Sequence, residues 1–345
     1  MRAMGVTAYG EPLQPLDLAV PEPPPGYARL EVLTCGVCFS DVKTARGRMP
    51  FSGRLTLPHV PGHEICARVA ETNPPGALDP GTVVVVYHLS PCRRCERCRA
   101  GEDNLCLAPK AWTGFTDPGG FQEQLVVPID RLLPVPAGID PVHAAPLTCA
   151  LGTAYRAVVT RAGVVAGSSL VVVGLGGVGI HALQIAAAAG ARAVGTDLSE
   201  RAIALAGELG LTAFGASDPD TERRLLQAFG GEDVDAVVDT VGTVDSLRRA
   251  ERLVRPGGRI VAVGYALDRL LELPLAPLVL QEKELVGSRY VRMDELQRAI
   301  GLVADGRVRI IVDRVEPLER ANRGLEALEA GEVVGRVVLD VAGVA

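Results

Sequence analysis

Residues 171–183 read VVVGLGGVGIHAL. A β-branched run ends at Gly174, and glycines at 174, 176 and 179 then lead into a helix-forming stretch. When G-x-G-x-x-G stands between a strand and a helix, each glycine has its own task. The first makes the tight turn, the second lets backbone approach a pyrophosphate, and the third lets the helix pack on the strand. The helix N-terminus, with Gly177 and Val178 just before it, then presents unsatisfied N–H groups to the phosphates. Glycine-rich turns also open helices for packing alone, so a second feature is needed. Asp197 supplies it: it ends the next apolar run, eighteen residues past Gly179, where a carboxylate can accept from both ribose hydroxyls. A carboxylate there repels a 2′-phosphate, so NAD is expected over NADP, with nearby Arg201 softening that preference. A Rossmann site for FAD or S-adenosylmethionine is the alternative. FAD fingerprints usually start a chain, however, and this one is central.

Around this stretch strand and helix alternate. SLVVVG is followed by a helix to Gly190, then ARAVGTD, SERAIALAGELG, DAVVDTVG, VDSLRRAERLV, a Pro-Gly-Gly stop and RIVAVGY. That alternation predicts a parallel sheet covered on both faces. The N-terminal part is different, rich in Pro and Gly, with short β-branched runs such as ARLEVLTC, TVVVVYHL and QEQLVVP that read as strands of an irregular β-rich unit. The tail predicts a helix at MDELQRAIGLVADG, a strand at IIVDRV, a helix at LERANRGLEALEAG and a final strand at RVVLDV. A chain of 345 residues exceeds what one core normally fills. The expected class is α/β, with a β-rich domain over 1–150, a doubly wound parallel-sheet domain over 151–288, and a return to the first domain over 289–345. There is no internal repeat and no low-complexity linker.

Composition narrows the function. A net charge of −6 gives no basic face for nucleic acid. The one basic cluster, CRRCERCR, is tied to cysteines. The opening MRAMGVTAYGEP has no apolar stretch behind its arginine, so no secretory signal is expected. The apolar run from Ser169 is long enough to raise a membrane span. His181, Gln184, Arg192 and its glycines favour strand, turn, helix and strand instead, and no membrane partner is expected. Eight cysteines are too sparse for a secreted disulfide scaffold, and clustered cysteines in an intracellular chain more often bind metal, so a cytoplasmic protein is expected.

Cys92, Cys95, Cys98 and Cys106 form C-x2-C-x2-C-x7-C. Four thiolates in fifteen residues can close a tetrahedral zinc shell with no open position, the mark of a structural site. Arg93, Arg94, Arg97 and Arg99 would offset the two negative charges of such a centre. Cys35, Cys38, Cys66 and Cys149 remain. One Cys, one His and one distant Cys would make a Cys2His shell with a fourth position open, as catalytic zinc requires. Spacing alone does not join positions so far apart, and singly each reads as a core residue.

The motifs GVCFSD (36–41), GHE (62–64), the four-cysteine run, LTCALGTAY (147–155) and GLGGVG (174–179), in this order, resemble the zinc-dependent medium-chain alcohol dehydrogenases. The likeness runs the length of the chain, to the closing GEVVGRVVLDV. It implies a GroES-like β catalytic domain and a Rossmann domain, with the chemistry in the cleft between them. It implies Cys38, His63 and Cys149 as catalytic zinc ligands, Glu64 behind the metal as an alternative ligand, and Asp41 as the carboxylate that orients His63. Ser40 matches the hydroxyl that takes the alcohol proton, and Thr153, Val263 and Gly264 the nicotinamide contacts. Arg336 matches an arginine that pairs with the cofactor pyrophosphate, and Tyr87, His88 and Trp112 fall where the family lines its substrate pocket.

The implied activity is interconversion of an alcohol and its aldehyde or ketone by hydride transfer with NAD(H). Zinc, two per chain, would polarise the oxygen and Ser40 would relay the proton. Two positions depart from the pattern. Relatives often carry histidine where Lys43 stands, and histidine or arginine where Phe39 stands. Lys43 is read as a proton acceptor depressed by burial, as a cation for an acidic substrate or cofactor phosphate, or as a solvated surface residue. The altered relay keeps open a zinc-containing reductase of enals or iminium carbons. A polyol or sugar-acid dehydrogenase and a non-catalytic zinc- and nucleotide-binding scaffold are the remaining readings. The chain length resembles tetrameric bacterial members, so a homotetramer is expected, else a dimer.

Overall fold

The computed structural model describes residues 1–267 and 270–345, which divide into two compact units. The second unit, Ala150–Val291 with Gly301–Ile311, is built on a six-stranded parallel sheet. Its strand order is Thr212–Gly215, Arg192–Asp197, Ser169–Val173, Val234–Asp239, Val254–Ala262 and Glu284–Gly287. Ser169–Val173 is central and every one of its residues is buried, as a strand covered on both faces must be. Val171, Val237 and Ile260 carry one face of this core, with Leu225, Phe229 and Leu247 from the covering helices. The Pro-Gly-Gly read as a stop lies inside the strand Val254–Ala262. There the register slips between the Val234 and Ala236 pairs, so the glycines form an irregularity in the strand and the pairing resumes at Arg259.

The first unit comprises Met1–Cys149, Arg292–Ile300 and Val312–Ala345. Its seven-stranded sheet runs Val312–Pro317, Arg336–Asp340, Tyr27–Val37, Glu64–Asn73, Val83–Val86 and Leu132–Pro134, with Gln124–Pro128 also paired to Tyr27–Val37. Leu30, Val32, Ile65, Ala67, Val84 and Phe121 fill its core, joined by Leu325 and Val337 from the end of the chain. The return is therefore interleaved, and a single boundary at 289 does not describe it. The helix Met293–Ala304 begins in the first unit, and Gly301–Ile311 belongs to the second.

His181 and Gln184, the polar residues that interrupt the apolar stretch of the helix Gly179–Ala188, account for that. Gln184 accepts from the Arg309 N–H at 2.9 Å and donates to the Arg309 carbonyl at 3.0 Å. The Ile311 N–H donates to His181 Nε2 at 3.1 Å, while Nδ1 lies 2.6 Å from the Gly177 carbonyl. Two side chains thus satisfy a strand-like backbone segment that has no sheet neighbour of its own. No helix among the described residues is long and apolar enough to cross a membrane.

Candidate active site

The long strand Tyr27–Val37 ends one residue before Cys38, whose extended backbone (φ −108°, ψ 156°) opens the helix Phe39–Ala45. Asp41 in the first turn reaches back to accept the Cys38 N–H at 2.8 Å, a carboxylate where the helix N-terminus favours one. Its other oxygen accepts the Gly62 N–H at 3.2 Å and lies 3.1 Å from His63 Nδ1. A carboxylate can only accept, so the proton sits on Nδ1 and Nε2 is left as a donor atom for a metal. The turn that delivers His63 needs glycine at 62: its φ is +99°, and a Cβ there would stand 2.4 Å from the Phe121 ring.

His63 Nε2 lies 3.3 Å from Cys149 Sγ, and the donor atoms of Cys38, His63, Glu64 and Cys149 all fall within 4.8 Å of one another. Arg336 closes the cluster from behind. Its Nε is 3.0 Å from both Glu64 oxygens and its Nη2 2.7 Å from one of them, while Nη2 also stands 3.5 Å from Cys38 Sγ. Both members of this pair are buried. Burial pushes the Glu64 carboxyl up and Arg336 opposes it. The Cys149 hydrogen bond pulls Cys38 well below the usual thiol range against the cost of its burial, with help from Arg336 and His63. Burial works against charge on His63, but Asp41 and Cys38 outweigh it and raise the imidazole to about 10. Soft and borderline donors that grip positive charge so strongly fit a divalent zinc ion, and a Cys2His set leaves a fourth position for substrate or for Glu64.

The second cluster is built locally. Cys95 caps the short helix Glu96–Arg99, and backbone N–H groups point at the sulfurs. Cys92 N–H donates to Cys106 Sγ at 3.2 Å, Cys95 N–H to Cys92 Sγ at 3.3 Å, and Cys98 N–H to Cys95 Sγ at 3.5 Å. The Leu107 and Cys98 N–H groups bring the Cys95 thiol down to about 6. The four sulfurs lie within 4.8 Å of one another, a closed all-thiolate set that fits a structural zinc. The four expected arginines are all exposed around it.

In the second unit the three glycines of the loop sit in different surroundings. Gly174 has φ +83°, and a Cβ on Gly179 would stand 1.7 Å from the Gly174 carbonyl oxygen. At Gly176 a Cβ would meet nothing within 4 Å, so this backbone borders open space of the kind a pyrophosphate needs. Asp197 accepts the Leu175 N–H at 2.5 Å and the Ser199 N–H at 2.7 Å, which places its carboxylate beside the loop. The Val263 and Gly264 N–H groups donate to the Asp239 carbonyl at 2.8 and 3.2 Å. Thr153 lies buried on the helix Ala150–Tyr155, and Arg201 is exposed on Glu200–Glu208.

The alcohol dehydrogenase GroES-like domain family matches residues 24–137, and the zinc-binding dehydrogenase family matches residues 177–305. An NAD-dependent alcohol dehydrogenase of Sulfurisphaera tokodaii is 32% identical over 98% of this chain and 99% of its own. The chain belongs to the zinc-dependent medium-chain alcohol dehydrogenases. An alcohol dehydrogenase of Geobacillus stearothermophilus is 31% identical to this dehydrogenase, over 99% of this chain and 100% of its own. A crystal structure of an NAD-dependent alcohol dehydrogenase superposes with a TM-score of 0.91 at 32% identity, covering 99% of this chain and all of that one.

In this dehydrogenase Ser40 is half-buried in the first turn beside Cys38. Lys43, one turn on, is half-buried with its Nζ 5.8 Å from the centre of the Phe39 ring. Burial lowers its pKa, and the nearby Cys38 thiolate opposes that shift. The three residues expected to line a pocket part company. The His88 ring stands edge-on to His63 at 5.2 Å, and Trp112 packs on Phe115 at 4.4 Å in the same aromatic group. Tyr87 is fully buried, with Arg131 5.9 Å from its ring and its hydroxyl on Asp103, so it offers no surface to a ligand. The Arg336 guanidinium, expected toward a pyrophosphate, is committed to Glu64 and Cys38. Sequence reasoning missed Phe51 and Phe115, rings on the same wall as Trp112. Isolated phenylalanines in a loop carry no periodic signal. It also missed Asp103, whose only cue is its place among the lobe cysteines.

Proposed function

We propose that this dehydrogenase interconverts an alcohol and its aldehyde or ketone with NAD(H). The observation that carries the reading is Asp41 holding His63 beside Cys38 and Cys149, with Ser40 in the same helical turn. Bound zinc supplies a Lewis acid to the substrate oxygen, and NAD supplies the hydride acceptor. The rest belongs to the chain. Cys38, His63 and Cys149 would hold the ion, with Glu64 kept in reserve by Arg336. Ser40 is assigned the proton leaving the alcohol oxygen, and Lys43, lowered by burial, is assigned either its onward transfer or contact with an acidic substrate or cofactor phosphate. His88, Trp112, Phe115 and Phe51 give an apolar wall beside His63, which favours simple apolar alcohols over polyols.

Gly176 leaves room for the pyrophosphate, and Asp197 favours the ribose hydroxyls of NAD over the 2′-phosphate of NADP. Thr153 and the backbone at Val263 and Gly264 are assigned to the nicotinamide end. The two donor sets support a reading of two zinc ions per chain. Eight free cysteines fit a reducing, cytoplasmic setting. A homotetramer, or else a dimer, is the assembly proposed for chains of this length.

A panel of primary, secondary and polyhydric alcohols, followed by NADH absorbance with NAD and NADP in turn, tests the reading. Oxidation of simple alcohols with NAD is expected. Activity confined to enal reduction would replace it with the reductase reading. The glycine loop gives a second test. Gly179→Ala should destabilise the fold by about 1–3 kcal/mol through overpacking. Gly176→Ala should leave stability within about 0.5 kcal/mol but weaken NAD binding, measured by calorimetry.

A further inference from the structure

The four-cysteine lobe is built from one short stretch of chain, but one of its side chains reaches out of it. Asp103 lies in the turn Asp103–Leu105, between Cys98 and Cys106. Its carboxylate accepts from the Tyr87 hydroxyl, from the Met293 N–H at the start of the helix Met293–Ala304, and from the Asn104 N–H at 3.0 Å. Arg131, whose guanidinium carbon is 5.9 Å from the Tyr87 ring centre, adds its charge to the same group. Tyr87 has no exposed surface, so its hydroxyl needs a partner inside the protein, and Asp103 supplies it. The next residue, His88, stands edge-on to His63, with ring centres 5.2 Å apart and planes at 89°. Four residues further along the same segment Cys92 re-enters the lobe. The run 87–92 is therefore tied at one end to the imidazole of the mixed donor cluster, and to the thiolate cluster both through Tyr87 and through Cys92.

We propose that Asp103 and Tyr87 form a latch through which the four-cysteine lobe positions His63, so that the state of the lobe sets the geometry of the other metal cluster. Resting on the zinc-site reading above, the idea makes Asp103 a positioning residue: it acts through Tyr87 and His88 and touches no substrate. The physical link is short. Asp103 fixes the Tyr87 hydroxyl, the backbone fixes His88 to Tyr87, and the His88 ring bounds the space in which His63 turns.

The test uses the full-length enzyme with cobalt(II) replacing zinc at the Cys38–His63–Cys149 site and zinc kept in the lobe. The visible cobalt absorption and the rate of cobalt release to a chelator are the readouts. Tyr87→Phe removes one oxygen at constant ring volume. It should shift the cobalt band and speed release about tenfold, the lower end for groups behind a metal ligand. Asp103→Asn should do the same, and the double variant should add nothing further, because both cut one link. A Tyr87→Phe protein with unchanged band and release rate, its lobe zinc retained, overturns the latch. So does a double variant whose effects sum. If Asp103→Asn does not fold, Tyr87→Phe alone decides. Absence of any cobalt band in the unaltered enzyme would overturn the metal-site reading itself, and the latch with it.

Discussion

The two donor clusters each gather atoms that could hold a cation, and they do so in opposite ways. The lobe takes four identical ligands from fifteen consecutive residues and points backbone N–H groups at the sulfurs. Its arginines stay in water and its helix is four residues long. The mixed cluster takes its ligands from positions 38, 63 and 149, then surrounds them with fully buried charge: Asp41 behind His63, Arg336 behind Glu64 and Cys38. A closed shell of like ligands needs only a tight loop. A shell that must leave one position open needs a folded domain, because ligands that do not complete the coordination must be held in place by something else.

Mirror-image substitutions give the largest expected break in that contrast. Cys149→Ser should abolish alcohol oxidation and halve the zinc content with little change in melting temperature. Cys95→Ser should also halve the zinc but lower the melting temperature, with a smaller loss of turnover. Metal analysis beside a thermal scan separates the two. If both variants lose activity and stability alike, the division of labour is wrong.

Ser40→Ala comes next, with oxidation falling roughly a hundredfold at unchanged zinc content, the usual worth of a positioned proton acceptor. Near-normal turnover would remove Ser40 from the relay. Asp41→Asn should weaken retention of the catalytic zinc by about ten- to a hundredfold, since the Nδ1 proton loses its carboxylate. Chelator-release kinetics would show one fast and one unchanged zinc; two equally fast ions would mean Asp41 supports the whole unit. The smallest effect is expected from Lys43→His, which should leave oxidation intact or slightly raised near neutral pH. Loss of activity toward one substrate class alone would make Lys43 a substrate contact.

How far the sequence could be read follows the same contrast. The lobe and the glycine loop are contiguous, so spacing alone exposed them. So were most strands and helices: MDELQRAIGLVADG, for example, became Met293–Ala304. The mixed cluster was visible only through resemblance, because nothing local links Cys38 to Cys149. The pair Glu64–Arg336 spans 272 residues and left no mark in either stretch. His181 and Gln184 were read as interruptions of an apolar run, and their task depends on a segment more than a hundred residues away. Pro256-Gly257-Gly258 has the composition of a turn and reads as a stop, yet the strand Val234–Asp239 pairs with Val254 before it and again from Arg259 after it.

Arg336 lies on the strand Arg336–Asp340, which is inserted between Val312–Pro317 and Tyr27–Val37 and ends five residues short of the C-terminus. During synthesis the first 149 residues therefore emerge with the Thr34–Val37 end of the long strand unpaired along one edge, and with Glu64 lacking its counter-charge. The segment Ala150–Val291 can meanwhile complete its parallel sheet. The six-stranded sheet thus has all its members before the seven-stranded sheet has its last one. Removing residues 336–345 should therefore leave Cys38, His63 and Cys149 present but their unit unable to close.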